Sequence, residues 1–106
     1  MPKYLLEVSY TLDGIKGLKA EGGSARVAAA TALIEGLGGK VESFYFAFGG
    51  TDVYVTADMP DNVSVAAAAL AVSAGGGATS RTVVLLTAAE ADAAAAKQTT
   101  YRPPGS

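Results

Sequence analysis

The side chains able to do chemistry in this chain are few, and neither histidine nor cysteine is among them. That removes the commonest general base, the thiolate nucleophile and the usual soft metal ligands, leaving carboxylates, Lys, Arg, Tyr, Ser and Thr. Glu7, Tyr45, Asp52, Tyr54 and Arg81 fall at alternating positions of β-rich runs, so an antiparallel sheet sets them on one face. A carboxylate there, once covered by a partner, has its pKa raised and can serve as acid or base near neutral pH, while a tyrosine can donate to an oxyanion. The plainer assignment is structural: Tyr45 and Tyr54 as a cross-strand pair at an interface, and Glu7 with Arg81 as an intersubunit ion pair. Asp52, beside a Gly-Gly turn, has a rival role as acceptor for backbone N–H groups. Arg26 falls in a first helical turn, where its charge opposes the helix dipole, so it calls for a partner: Asp13, Glu21 or an anionic ligand. Glu7, Asp52, Asp58 and Asp61 supply hard oxygens, but no known loop spacing gathers them, and no tight metal site or cofactor is expected. Gly22-Gly23-Ser24 lacks the lysine of a phosphate-binding loop.

The elements that must carry these residues centre on Lys40–Ala57, two β-rich runs that meet at Gly49-Gly50. A two-residue or a four-residue turn gives the same pairs: Phe48 with Thr51, Ala47 with Asp52, Phe46 with Val53, Tyr45 with Tyr54, Phe44 with Val55. One face then carries Phe44, Phe46, Phe48, Val53, Val55 and Ala57 and reads as core. The other carries Val41, Ser43, Tyr45, Ala47, Asp52, Tyr54 and Thr56, mixed and aromatic. Lys3 to Tyr10 alternates as a strand, with Tyr4, Leu6, Val8 and Tyr10 on one side. Thr11 looks like a cap for a turn through Leu18 that two glycines weaken, and Ser24 looks like the N-cap of a helix from Ala25 to about Leu37. Asp61 or Asn62 caps a helix from Val63 to Ala74, Thr79 to Leu86 forms a fourth strand, and Thr87 caps a helix from Ala88 to Lys97. Residues 98–106 read as a flexible tail behind a single domain of residues 1–97.

This order of elements predicts an α+β, ferredoxin-like βαββαβ sandwich with an extra C-terminal helix and an antiparallel sheet running fourth, first, third, second. Both main helices then cover one sheet face. The other face is bare, and Tyr45, Tyr54, Leu5 and alternate residues of Val83–Leu86 make it costly in water, which predicts self-association there. A net charge of −2 gives no basic field for nucleic acid or anionic lipid. Neither a signal-peptide pattern nor a long apolar run is visible, so the expected location is the cytoplasm.

Tyr10-Thr11 with Gly14, Arg26, Gly38-Gly39-Lys40, Gly50-Thr51-Asp52, Pro60-Asp61 and Gly76, taken as a set, resemble the GYD-domain proteins, small bacterial members of the dimeric α/β barrel group. In this chain Thr51 stands at the tyrosine of the naming tripeptide. The resemblance implies a homodimer or higher homo-oligomer with a small-molecule pocket between sheet and helices, and it supplies no reaction. The expected function is an oligomeric module binding a small molecule, with Tyr10, Arg26, Tyr45, Asp52, Tyr54 and Glu7 as candidate ligand-binding residues. Two alternatives stand beside it. One is a cofactor-independent isomerase, decarboxylase or oxygenase acting on a small acidic or aromatic compound, with Glu7 or Asp52 as its base. The other is a purely structural assembly protein.

Overall fold

Alternating β-branched and aromatic residues make the strands, and capped alanine-rich runs make the helices. The computed structural model describes residues 1–106 in the order β1 (Lys3–Tyr10), α1 (Leu12–Glu21), α2 (Gly23–Gly36), β2 (Lys40–Phe46), β3 (Val53–Asp58), α3 (Asn62–Ala74), β4 (Ala78–Leu85) and α4 (Ala88–Ala95). All strand pairings are antiparallel and the sheet order is β2-β3-β1-β4. This is the α+β, ferredoxin-like arrangement. No helix is long and apolar enough to cross a membrane.

The hairpin register is the expected one at its centre, with Phe44 opposite Val55, Tyr45 opposite Tyr54 and Phe46 opposite Val53. Its turn is the four-residue loop Phe48–Thr51, closed by the Ala47 N–H donating to the Asp52 carbonyl at 2.7 Å. Phe48, expected in the core, is 94% exposed, because strand pairing stops at Phe46 and Phe48 falls in the loop beyond it. A second correction lies at the other end of β2. The register slips between Val41 and Ser43, and this β-bulge turns Val41 from the mixed face to a place opposite Ala57, packed against the core.

The helix-covered face holds the core: Tyr4 and Leu6 from β1, Val53, Val55 and Ala57 from β3, Ile34 from α2, Met59, and Val65 from α3. The buried Tyr4 ring ends in a hydroxyl that donates to Asn62 Oδ1, so its one polar atom is paired. Helix α1 is a full ten residues, longer than its two glycines suggest. Thr11 starts it by accepting the Gly14 N–H at 3.2 Å, and Gly14 is required by packing: a Cβ there would lie 1.8 Å from the Gly77 carbonyl oxygen. Ser24 caps nothing. Gly22 is the N-cap of α2, at φ +85°, a backbone conformation that suits glycine. Gly38, at φ +83°, ends that helix, its N–H donating to the Glu35 carbonyl and that of Gly39 to Ile34.

Candidate functional site

Two places on this fold gather polar and aromatic side chains, and they lie on opposite sides of the sheet. The first is a cleft on the helix side. Helix α2 packs on β2 and α3 on β4, and the short side chains of Ala30, Ala68 and Ala69 leave room above the sheet centre. The result is a cavity of about 100 Å³ floored by Leu6, Val8, Val53 and Val55 and walled by Leu33, Ile34 and Val72. It adjoins an outer space of about 370 Å³ bounded by α1 and by Gly75 and Gly77. Tyr10, Arg26, Leu33, Val72 and Ala78 border both spaces, so Tyr10 and Arg26 stand where the apolar interior meets the polar mouth.

The residues with polar groups that line the inner cavity are Tyr10, Arg26 and Ser80. Burial pushes the Tyr10 phenol above its usual pKa, with Arg26 pulling the other way and Asp52 reinforcing the rise. The ring is therefore a neutral hydrogen-bond donor near pH 7. Arg26 Nη1 lies 3.3 Å from Glu21 Oε2 in a half-exposed ion pair, which settles the sequence-level choice between Asp13 and Glu21 in favour of Glu21. Asp13 also borders the mouth. Ser80, on β4, has a hydroxyl oxygen that is buried and finds no hydrogen-bond partner within the chain. Sequence reasoning missed it. The signal was its parity, since Ala78 and Ser80 alternate inward from the Gly75–Gly77 loop.

Asp52 stands at the sheet end beside this cleft. Its Oδ2 accepts the backbone N–H of Tyr10 at 2.8 Å, and its own N–H donates to the Val8 carbonyl at 2.9 Å. The carboxylate thus ties the hairpin loop to the end of β1.

The second place is the open face, which no helix covers. The strand register places Tyr45, Tyr54, Glu7 and Arg81 in one row across all four strands. Tyr45 is 70% and Tyr54 39% exposed. Glu7 and Arg81 are cross-strand neighbours yet form no ion pair within the chain. Leu5 sits opposite Val83, one row along. Of the six candidate ligand residues, the structure therefore brings Tyr10 and Arg26 together in the cleft, sets Asp52 at its edge, and puts Glu7, Tyr45 and Tyr54 behind the sheet. Glu7, Asp52, Asp58 and Asp61 do not converge on a common point.

The family model described as the GYD domain matches residues 4–95. No curated protein and no solved structure is a match to the chain.

Proposed function

The chain belongs to the GYD-domain family, and from that premise we propose that it is a self-associating small-molecule-binding module, with its ligand in the cleft between the sheet and α2 and α3 and its partner copy on the open sheet face. The cavity carries this reading. It is lined by apolar residues with Tyr10 and Arg26 at its mouth, the mostly apolar composition of a small-ligand site. Self-association is supported by the exposed Tyr45, Tyr54 and Val83, which with Leu5 make an apolar and aromatic surface that a second copy would remove from water. Closing the open face of the sheet on a second sheet is also what the dimeric α/β barrel arrangement consists of.

The cofactor-independent enzyme has less support. Glu7 lies on the far face, and Asp52 directs its carboxylate to the Tyr10 N–H, so neither carboxylate lines the cavity. A protonated Tyr10 is a donor, not a base. Thermal-shift measurements on the purified chain, with a panel of small acids, phenols and neutral apolar compounds, test the binding role. At least one class should raise Tm in the native chain but not in Ala30→Leu, whose added methyl groups fill the cavity. A panel that leaves Tm of the native chain unmoved rejects it.

A further inference from the structure

We infer that β4 is a second self-association surface, on which a copy of this chain adds its own β4 edge to edge, so that one antiparallel sheet runs through both copies. This contact lies apart from the open face and is additional to the pairing proposed there.

The sheet has two edges, β2 and β4, and the chain treats them differently. β2 carries devices that discourage pairing: a bulge between Val41 and Ser43, Lys40 at its start, and Glu42 held by Lys3. β4 carries none of them. It runs for eight residues, pairs with β1 over its whole length without a bulge, and has Arg81 as its one charge. Arg81, Thr82, Val83 and Val84 are exposed in succession.

Backbone pairing shows which groups are free. The Thr11 N–H donates to the Gly77 carbonyl and the Val8 carbonyl accepts the Asp52 N–H, so odd residues of β1 turn toward β4 and even residues toward β3. By register the odd residues of β4 face β1, and the N–H and C=O groups of Ser80, Thr82 and Val84 point off the sheet. On the helix side this edge borders a groove of about 420 Å³ between β4 and α3, lined by Val65, Ala66, Ala69 and Leu70 among others. Leu70 is 70% exposed there, and α3 holds no charged residue.

A second copy fits this edge better than the end of the chain itself. Residues 97–106 hold Lys97, Arg102, Pro103 and Pro104 without apolar alternation, which makes a poor added strand. A second β4 supplies free N–H groups to free carbonyls in both directions, and a twofold axis normal to the sheet sets each α3 beside its copy over the groove. The middle of β4 falls between Arg81 and Thr82. An axis at Arg81 would oppose two guanidiniums, so the axis falls at Thr82: Thr82 faces itself, and Ser80 faces Val84 of the second copy. About six ladder hydrogen bonds form. Ala78 then meets Leu86 of the second copy, a residue 60% exposed in the single chain, and that copy's α4 starts beside the Gly75–Gly77 loop at the cleft mouth. One strand and one helix from each copy make a narrow contact, which alone is weak and joins copies already held through the open face.

The chain has no cysteine, so a single introduced thiol reports the contact. In this register the two Thr82 Cα atoms lie about 5.5 Å apart, within disulfide reach, and the two Val84 Cα atoms about 14 Å apart, beyond it. Both side chains are exposed on the helix side of the sheet, so open-face pairing brings neither pair together. Under mild oxidation Thr82→Cys should form linked pairs at least about tenfold faster than Val84→Cys. Adding Leu70→Lys to Thr82→Cys should slow linking by about the same factor while circular dichroism stays native. At high concentration the native chain should sediment as species of more than two copies, and Val84→Lys, a charge on the free edge, should stop at two. Linking equally slow at both positions, or faster at Val84, overturns the edge contact. A native chain that stops at two copies also overturns it and leaves the open-face pairing and the ligand cleft as proposed. One that stays single overturns both pairings.

Discussion

The Asp52 carboxylate does for the end of β1 what a neighbouring strand does elsewhere. Beyond the Val8–Val53 pair β3 no longer supplies an acceptor on that side, and Asp52 Oδ2 takes the Tyr10 N–H instead. Removing it in Asp52→Ala leaves that N–H unpaired in a part-buried place and should cost about 1–2 kcal/mol, read from urea unfolding. Asp52→Asn, which keeps an acceptor oxygen, should cost less; equal losses would contradict the assignment. An acidic residue beside a glycine pair already reads as a backbone acceptor. The identity of the amide, 42 residues away in sequence, does not. Gly14 shows a different limit. Judged by propensity it argues against a helix, yet it sits inside one because no side chain fits between α1 and the Gly77 carbonyl. Gly14→Ala should destabilise the fold by about 1–3 kcal/mol in the same assay, since the atom it would strike is backbone and cannot step aside. A loss below a few tenths of that range would mean α1 moves freely.

Among the elements, helix starts obey local rules where a side chain caps them. Asp61 accepts the Ser64 N–H at 2.8 Å and starts α3, and Thr87 with Glu90 forms a reciprocal cap that starts α4. Both features are visible as a short polar residue ahead of an alanine run. The start of α2 is not, because Gly22 does the work through its backbone angles and Ser24 only resembles a cap. The bulge in β2 is equally silent, since Lys40–Phe46 alternates without any residue that marks a slip. The Asp61 contact also predicts a pH response. The Ser64 amide holds its carboxyl below the ordinary value of 3.8. The cap's contribution is therefore present above the unfolded pKa and lost as pH falls through the lower, folded one. Asp61→Ala should be measurably less stable than the native chain at neutral pH, and the difference should shrink as the medium is acidified below pH 4. Asp61→Asn should keep most of the cap and flatten that dependence. A native chain whose stability gap to Asp61→Ala is constant from pH 7 to about pH 2 would refute it.

At the scale of the molecule, burial is one-sided. Only 10 of 106 residues are buried, all on the helix side of the sheet or in the segments that close it. Every residue from Leu86 to Ser106 is exposed, and the radius of gyration is 16.8 Å against about 13 Å for a compact chain of this size. A chain that hides so little of itself gains from a partner. If copies pair through the open face, Tm must rise with protein concentration, as mass action requires. Tyr54→Glu, which sets a second carboxylate beside Glu7, should shift sedimentation toward the single chain and abolish that rise. A native chain that sediments as a single copy at high concentration, with a Tm independent of dilution, would rule the pairing out.

The alternation in β1 has an outcome of its own. Tyr4, Leu6, Val8 and Tyr10 look toward the helices, and Leu5, Glu7 and Ser9 look away from them. If the binding and pairing proposals both hold, one eight-residue ribbon serves two separate purposes with interleaved letters. A saturation scan along it should read as a sawtooth, even positions scoring in a ligand selection and odd positions in an oligomer selection, so that either trait can be evolved while the other is held still.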